Sequence, residues 1–340
     1  MVTEFLNELS LNQTEEALKK LHNDFKGIRL FDETVLTSKV NIIEYFNTHK
    51  VEDYRITNTE EYNDYLIVDA IKNNTQVTYK IKMKENKIYQ VYETIKLIGK
   101  TRVKCIISYD GSTFSGYQKQ PNATTIQGEL EKALSSTLNE DIVIYGSGRT
   151  DKGVHAYNQV IHFDTSSNIP REKMRMVISK YLTKAIQIKE SSNVHETFHS
   201  RYDIRSKEYV YHINMKEYDV VKRNQEWYPG EFNLDLFKEE LRSLIGTHDF
   251  TSFTKTTDLN TIRTIFDIRF EQEGDVLLIY IKGNGFLRYM VRNIVGYGMN
   301  IAQNKSKISL LSIADKKDNS LLNDIAPAGG LYMNEVTYYE

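Results

Sequence analysis

Residues 146–156 read GSGRTDKGVHA, and this stretch decides how the chain is interpreted. It contains three glycines within eight residues and lies between two runs typical of strands, residues 141–146 and 158–165. Glycine allows the backbone to approach a ligand closely and to adopt positive φ angles. The stretch therefore predicts a loop that presents polar side chains between two strands.

Within this loop, Arg149 precedes Asp151 by two residues. Such spacing can bring a guanidinium beside the carboxylate, which would favour the ionised form of the aspartate. An ionised carboxylate in a sheltered loop can act as a nucleophile or stabilise positive charge at a sugar carbon. The competing interpretation is a surface turn, because Gly, Asp, Ser and Thr are common in turns. Spacing alone leaves these two interpretations evenly matched.

Two other kinds of site are poorly supported by the same residues. The loop lacks the GxxxxGK[ST] pattern and a clean GxGxxG before a long helix, so it does not predict a nucleotide-phosphate loop. His155 and His162 lie nearby but at strand spacing, so they need not converge on a metal ion.

The sequence after residue 102 interleaves strand-like and helix-like runs, which predicts an α+β fold with an antiparallel or mixed sheet flanked by helices. An apolar stripe at helical spacing, formed by Ile126, Leu130, Leu134 and Leu138, predicts a helix packed on that sheet. Further helices are predicted over 171–182, 234–246 and 286–303. Further strands are predicted over 103–111, 208–215, 266–283 and 335–340.

Residues 1–98 have a different pattern, and the boundary is placed near Ile98 and Gly99. Helical spacing over 13–25 and 39–48 is followed by alternating runs from about residue 51, separated by turns at IKNNTQ and KENK. Helices followed by an antiparallel meander resemble the NTF2-like (SnoaL-like) cone fold, so a small α+β domain is predicted. It contains no chemical cluster, and we expect an oligomerisation or RNA-positioning module.

Composition narrows the class of protein. Of the 340 residues, 40% are hydrophobic and 26% are charged, as in globular proteins, and no run reaches the roughly 18 apolar residues of a membrane helix. The single cysteine, Cys105, lies in an alternating apolar run and is predicted to be a buried structural thiol in a cytoplasmic protein. The formal net charge of −2 permits a nucleic-acid partner only through a local basic patch.

GSGRTDKGVHA closely resembles GAGRTDAGVHA, the signature of the TruA family of tRNA pseudouridine synthases. The resemblance extends in order through most of residues 102–340 and does not include residues 1–98. It implies the pseudouridine synthase fold over 99–340, with subdomains of about 99–200 and 201–340. The other blocks that carry it are SYDGSTFSGYQKQ, TTIQGELEKAL, NQVIHFDT, TFHSRYDIRSKEYVYHI, GTHDFTSFTK, NGFLRYMVRNIVG and APAGGLYMNEVTY.

The resemblance implies roles for four residues. Asp151 matches the catalytic carboxylate, which would either add to C1′ of the target uridine or take its 2′ proton. Arg149 matches the arginine that holds RNA flanking the flipped uridine. Tyr209 matches the tyrosine that stacks on the uracil and can act as general base. Arg292 matches the basic partner of the catalytic aspartate. Independently, an arginine in a largely apolar helix is costly to bury without a carboxylate partner.

The same resemblance implies the wider binding site and the substrate. His199 and Arg201 belong to a segment similar to FHAR and are expected, with Lys152, to contact RNA, whereas Lys119 and Arg288 are weaker candidates for phosphate contact. Family members act as homodimers on uridines 38, 39 and 40 of the tRNA anticodon stem-loop, without cofactor or metal. The alternative left open is a tRNA-binding or tRNA-folding protein with little turnover on the same scaffold. A carboxylate-dependent nucleoside hydrolase is a third hypothesis, but no motif supplies its second acid.

The chain departs from the family pattern at two places. Tyr117 stands where a tryptophan is usual, and it keeps an aromatic ring. Thr183 and Ala185 replace a usual proline and aspartate in the segment 179–186, which is expected to alter a local turn.

Overall fold

The computed structural model describes residues 1–340 except 12, 31–33, 256–259, 319, 321–324 and 340. It divides into two compact units, one formed by residues 1–101 with 195–198 and the other by residues 102–194 with 199–340. The division lies a few residues after the boundary expected near residue 98, and no sequence signal marked the segment 195–198. None of the helices in the described ranges has the length and apolar character needed to cross a membrane.

The first unit is α+β. Its strands form a sheet in the order β2-β1-β6-β5-β4-β3, in which β1 and β6 are parallel and the other neighbours antiparallel. Its elements are α1 (Val2–Ser10), α2 (Thr14–Leu18), β1 (Gly27–Arg29), β2 (Val35–Leu36), α3 (Lys39–Thr48), β3 (Tyr54–Glu61), β4 (Tyr65–Lys72), β5 (Thr75–Lys84) and β6 (Lys87–Ile95).

The two predicted hairpin turns of this sheet are confirmed. Asn73 and Asn74 between β4 and β5 have φ angles of 47° and 62°, and Glu85 and Asn86 between β5 and β6 have 49° and 57°. Two consecutive residues with positive φ match the right-handed twist of paired strands. The predicted helix over 39–48 is also confirmed, and its cap is the Ser38 hydroxyl, which accepts a hydrogen bond from Asn41 N.

The predicted helix over 13–25 is much shorter than expected and ends at Leu18. Beyond it, His22 N donates to Ile88 O and Ile88 N donates to Lys20 O, so the backbone pairs with β6 instead of continuing the helix. A tertiary strand contact thus overrides helical spacing. The helix over Val2–Ser10 was not predicted.

The second unit is an α+β body whose strands form one mixed sheet. The order is β10-β7-β9-β15-β11-β14-β13-β12, with β8 paired to β9. Its elements are β7 (Thr101–Tyr109), α4 (Ile126–Leu138), β8 (Tyr145–Gly146), β9 (His155–Thr165), α5 (Arg171–Ile178), β10 (Ile186–Val194), β11 (Ile204–Asn214), α6 (Leu234–Arg242), β12 (Gly246–Asp249), β13 (Ile262–Glu273), β14 (Val276–Gly283), α7 (Met290–Ala302), α8 (Leu310–Lys316) and β15 (Leu331–Tyr338).

The centre of this sheet joins early and late parts of the sequence. β9, which follows the glycine-rich loop, pairs in parallel with β15, and β15 pairs antiparallel with β11. The predicted mixed sheet with packed helices is therefore confirmed. This arrangement brings the end of the glycine-rich loop, the start of β15 and the middle of β11 side by side.

The core on this sheet follows the predicted pattern in most places. The four apolar residues of the α4 stripe are all buried, and Cys105 is buried in the same cluster. Burial raises the pKa of the Cys105 thiol to about 12, as expected for a structural residue. The predicted strand 335–340 lies within β15 as far as Tyr338, and residue 340 is outside the described residues.

The predicted strand over 141–146 is reduced to Tyr145 and Gly146. Ile142 N donates to the Ser135 hydroxyl and Ile144 N donates to a Glu131 carboxylate oxygen. These backbone groups are therefore satisfied by side chains of α4 and not by a neighbouring strand. The strand β10 and the helix α8 had no clear sequence pattern.

Candidate active site

The glycine-rich loop is fixed to the body by the residue before Asp151. The Thr150 hydroxyl lies 2.7 Å from the Tyr109 hydroxyl, and Thr150 O accepts a hydrogen bond from Tyr117 N at 3.1 Å. On the other side, Val154 N donates to Asp151 O at 3.1 Å, which closes a turn. Asp151 is thus the first residue of this turn, and the residue before it is buried.

Two glycines of this loop are required by geometry. Any side chain at Gly146 would collide with the ring of Tyr117, which packs directly against its Cα. Gly153 has a φ angle of 82°, in the left-handed region that favours glycine. The tyrosine that replaces the usual tryptophan at position 117 therefore still packs against the loop.

Asp151 faces Arg292, which projects from α7. The distance from Arg292 Nη1 to Asp151 Oδ2 is 3.4 Å, and the two side chains are 15% and 19% exposed. Arg292 Nε donates to Ala326 O at 2.8 Å, so the guanidinium is held from two directions. Burial raises the pKa of Asp151 above its ordinary value, and the positive charges of Arg292 and Arg288 oppose that rise.

Arg149 does not lie beside Asp151, contrary to the expectation from their spacing. Its side chain is exposed, whereas that of Thr150 is buried, so the chain turns the guanidinium away from the carboxylate. Among the described residues, Arg149 has no hydrogen-bond or ion-pair partner. The guanidinium near the carboxylate comes from α7 instead, and Arg149 is left available to a ligand.

Tyr209 stands on β11 at the edge of the same site. It is 9% exposed and packs edge-to-face against Phe286, with ring centroids 5.2 Å apart. Burial, and secondarily the negative charge of Asp151, raise the pKa of the Tyr209 hydroxyl well above its usual range. The Asp151 carboxylate is therefore close enough to the Tyr209 hydroxyl for its charge to affect the pKa of that group.

Two further predicted contacts, His199 and Arg201, lie in the segment between β10 and β11. Arg201 is exposed and lies over the Tyr202 ring, and Arg201 N donates to His199 Nδ1. Behind them, His162 is buried against His199 and bonds through Nδ1 to the Ser200 hydroxyl. Burial lowers the pKa of His162 well below its usual range, so the imidazole that packs against His199 is neutral.

The basic candidates differ in their availability. Lys152 is exposed and has no partner among the described residues. Arg288 lies over the Tyr289 ring, and its Nη2 donates to the Tyr289 hydroxyl. Lys119 forms an ion pair of 2.9 Å with Glu131, so the carboxylate already partly neutralises its charge. In the described residues, no group of three or more His, Cys, Asp or Glu side chains is placed to hold a metal ion.

Comparison with known proteins decides which family this geometry belongs to. A family model described as tRNA pseudouridine synthase matches residues 105–203 and 241–339. The chain belongs to the tRNA pseudouridine synthase family.

Relatives in this pseudouridine synthase family match about two thirds of the chain over almost their whole length. The chain is 43% identical to tRNA pseudouridine synthase A of Brevibacillus brevis over 70% of this chain and 99% of that protein. It is 42% identical to tRNA pseudouridine synthase A of Anoxybacillus flavithermus over 70% and 98%. The corresponding protein of Streptococcus agalactiae is 41% identical over 70% and 95%.

Solved structures similar to part of the chain include an NTF2-like protein of unknown function from Cytophaga hutchinsonii. It covers 28% of this chain and 86% of its own, with 15% identity and a TM-score of 0.25. A SnoaL-like protein from Burkholderia thailandensis covers 28% and 90%, with 7% identity and a TM-score of 0.25. Likeness at this level carries no conclusion, so the cone-like fold of the first unit stays a prediction.

Several residues of this pseudouridine synthase site were not found from sequence. Tyr109 and Thr150 hold the loop, Phe286 packs on Tyr209, and Lys207 projects toward Gly148. Phe286 and Lys207 do lie inside blocks that carry the family resemblance, and Lys207 is two residues before Tyr209, hence on the same face of the strand. Strand alternation from Tyr209 was the signal that could have identified Lys207.

Proposed function

We propose that this chain converts uridine to pseudouridine in the tRNA anticodon stem-loop, at positions 38, 39 and 40, with Asp151 as the catalytic carboxylate. Membership of the family makes the chain a tRNA pseudouridine synthase, which is an isomerase. The observation that supports the residue assignment is the ion pair between Asp151 of the glycine-rich loop and Arg292 of α7, near enough to Tyr209 for the Asp151 charge to raise the pKa of its hydroxyl.

The reaction breaks the bond between N1 of uracil and C1′ of ribose and forms a bond from C5 to C1′. C5 loses a proton and N1 gains one, so no external oxidant or reductant is required. Asp151 in its ionised form acts either by adding to C1′ or by accepting the 2′ proton. Arg292 keeps the carboxylate ionised and aimed at the sugar, because it is the nearest cation and is anchored by Ala326 O.

Tyr209 is proposed to stack on the uracil and to accept the C5 proton at the end of the reaction. A tyrosine offers a flat apolar ring and a polar hydroxyl at once, and Phe286 holds the ring from its edge. The raised pKa of Tyr209 keeps the hydroxyl neutral until the base is bound, so proton acceptance requires a change in its surroundings on catalysis.

Arg149, Arg201, His199 and Lys152 are proposed to hold the RNA around the flipped uridine. Arg149 and Lys152 are exposed on either side of Asp151 in sequence, where they can meet backbone on both sides of the target nucleotide. Extruding a base costs a few kcal/mol, which such contacts offset. We further propose that the protein acts in the cytoplasm as a homodimer, each tRNA touching both subunits, and that residues 1–98 position RNA or promote association.

The test is tritium release from tRNA labelled at C5 of uracil, followed by mapping of pseudouridine at each position. Wild type is expected to release tritium from the anticodon stem-loop, whereas Asp151→Asn releases none although it still binds tRNA. Asp267→Asn, which changes an exposed aspartate on β13, is the matched control and should behave as wild type. Binding and folding of tRNA by wild type without tritium release would instead identify a tRNA-folding protein.

A further inference from the structure

Lys207 is a half-buried lysine that points into the candidate active site. It lies on β11 two residues before Tyr209, so both side chains leave the same face of the strand. A Cβ placed on Gly148 would lie 3.5 Å from Lys207 Nζ and 3.9 Å from the Tyr209 hydroxyl oxygen. The ammonium and the phenol therefore converge on the loop backbone three residues before Asp151.

The surroundings of this ammonium are cationic. Burial, and secondarily the positive charges of Arg201 and Arg263, lower the pKa of Lys207 to about 8. Within the described part of the chain, Lys207 has no hydrogen-bond or ion-pair partner. No carboxylate among the described residues neutralises the Lys207 ammonium. Partial burial of an unpaired positive charge costs free energy.

Two other basic residues of the same sheet are paired with glutamates. Arg269 bonds to Glu208, and Lys282 lies 3.4 Å from Glu335. Glu208 alternates with Lys207 and Tyr209 along β11, so these pairs belong to the opposite face of the sheet. The unpaired ammonium is a feature of the face that carries the active site.

An anion from the substrate can complete this cluster, and RNA offers two sources. One is the phosphodiester beside the target uridine, which carries a full negative charge before any reaction. The other is the uracil, which becomes anionic only after its bond to the sugar breaks. The Lys207 ammonium, which has no partner among the described residues of the free protein, fits a permanent anion better, since the phosphodiester can pair with it as soon as RNA binds.

Building on the proposed function, we propose that Lys207 binds the phosphodiester adjacent to the uridine that enters the Asp151 site. This contact fixes the sugar of the target nucleotide between Asp151 and Tyr209. Lysine serves here as a point charge with three donors, which suits phosphate oxygens approached from several directions. Lys207 is therefore a substrate-positioning residue, acting on binding of the flipped nucleotide and not on the bonds that rearrange.

The experiment measures single-turnover tritium release by the full chain on tRNAs assembled with one neutral methylphosphonate. The replacement is made at the phosphate 5′ or 3′ of the uridine that wild type converts. Lys207→Met removes the charge at similar length, Lys207→Arg keeps it, and Lys282→Met is the matched control on the opposite face. Thermal unfolding establishes that each variant is folded, and the RNA replacement tests the contact in unaltered protein.

On ordinary tRNA, Lys207→Met is expected to lower the rate on the order of ten- to a hundredfold. Lys207→Arg should restore most of the rate, and Lys282→Met should not change it. One of the two methylphosphonates should slow wild type by a similar factor and have little further effect on Lys207→Met. That loss of additivity is the signature of a direct contact.

Two results overturn the inference while leaving the proposed function intact. If wild type is active and Lys207→Met is slowed equally on all three RNAs, the lysine serves the uracil anion or the fold. If Lys207→Met reacts at the wild-type rate, a contact of the lysine with the phosphodiester does not contribute to the reaction. A wild type that releases no tritium from ordinary tRNA overturns the proposed function, and the inference falls with it.

Discussion

Asp151 experiences two opposing influences, and their balance sets the pH at which it can work. Burial raises the pKa of its carboxyl, whereas Arg292, and to a smaller extent Arg288, lower it. The ionised form is the one that can add to C1′ of the sugar or take its 2′ proton. The rate is therefore expected to fall as the pH drops through the pKa of Asp151.

Replacing Arg292 with methionine should move this acid limb to higher pH. Without the adjacent guanidinium, burial is opposed only by the weaker effect of Arg288 and the pKa of Asp151 rises further, so a smaller fraction is ionised at neutral pH. Profiles of kcat/KM against pH measure the shift, and Arg288→Met should give a smaller shift in the same direction. An unchanged or downward-shifted acid limb in Arg292→Met would contradict this account of the pair.

Substitutions at Tyr209 can separate the contribution of its aromatic ring from that of its hydroxyl. Tyr209→Phe keeps the packing on Phe286, so we expect native stability and tRNA affinity with a strongly reduced rate. Tyr209→Ala also leaves a cavity in a nearly buried position, which should destabilise the protein by about 3–5 kcal/mol. Urea unfolding and tritium release measure the two effects, and full activity of the phenylalanine variant would remove the hydroxyl from the mechanism.

The residues of the site could be predicted from sequence only in part. Asp151 and Arg292 are 141 positions apart, and no local pattern joins them, so their pairing was available only through family resemblance. The one local expectation, Arg149 beside Asp151, differs from the structure because Thr150 is buried and Arg149 faces outward. Lys207 resembled any surface lysine, since its lack of a partner is a property of the fold.

At the scale of elements, a buried hydroxyl pair between Thr150 and Tyr109 helps to hold the loop of residues 146–154. Thr150→Val keeps the shape of the side chain but leaves the Tyr109 hydroxyl without its partner. We expect a loss of about 1–3 kcal/mol in stability and a larger fall in kcat than in tRNA affinity, because Asp151 is the next residue. Thr150→Ser retains the hydroxyl and is the control; equal losses in both variants would exclude this bond as the cause.

Elements defined by local rules were predictable, and those defined by distant partners were not. The hairpins β4–β5 and β5–β6 follow from alternation and from asparagine-rich turns that tolerate positive φ. The strand expected over 141–146 is mostly absent because α4 side chains take its backbone hydrogen bonds. The expected helix over 13–25 ends early for the same kind of reason, a pairing with β6.

At the scale of the whole molecule, the least predictable feature was which strands pair at the centre of the second unit's sheet. Parallel pairing of β9 with β15 joins residues 155–156 to residues 332–333, far apart in sequence. Alternation indicates which face of a strand is buried but not which strand is its neighbour. Yet this pairing sets the positions of the end of the glycine-rich loop and of β11.

The segment 195–198 gives the first unit a testable connection to RNA binding. Although it follows β10 in sequence, it groups with residues 1–101, where Glu196 accepts a hydrogen bond from Leu97 N at 2.8 Å and lies 3.1 Å from the Thr78 hydroxyl. The chain continues directly into His199 and Arg201. Because Phe198 is joined directly to His199, we expect the anchoring of Glu196 to restrain the start of the proposed RNA-binding segment.

Glu196→Ala is therefore expected to weaken tRNA binding severalfold while leaving the single-turnover rate at saturation close to that of wild type. The physical reason is entropic: a segment that is no longer anchored must be ordered when RNA binds. Equilibrium binding and saturating tritium release measure the two quantities, and Glu190→Ala, an exposed glutamate on β10, is the control. An equal loss in Glu190→Ala, or unchanged affinity in Glu196→Ala, would show that the first unit does not act through this segment.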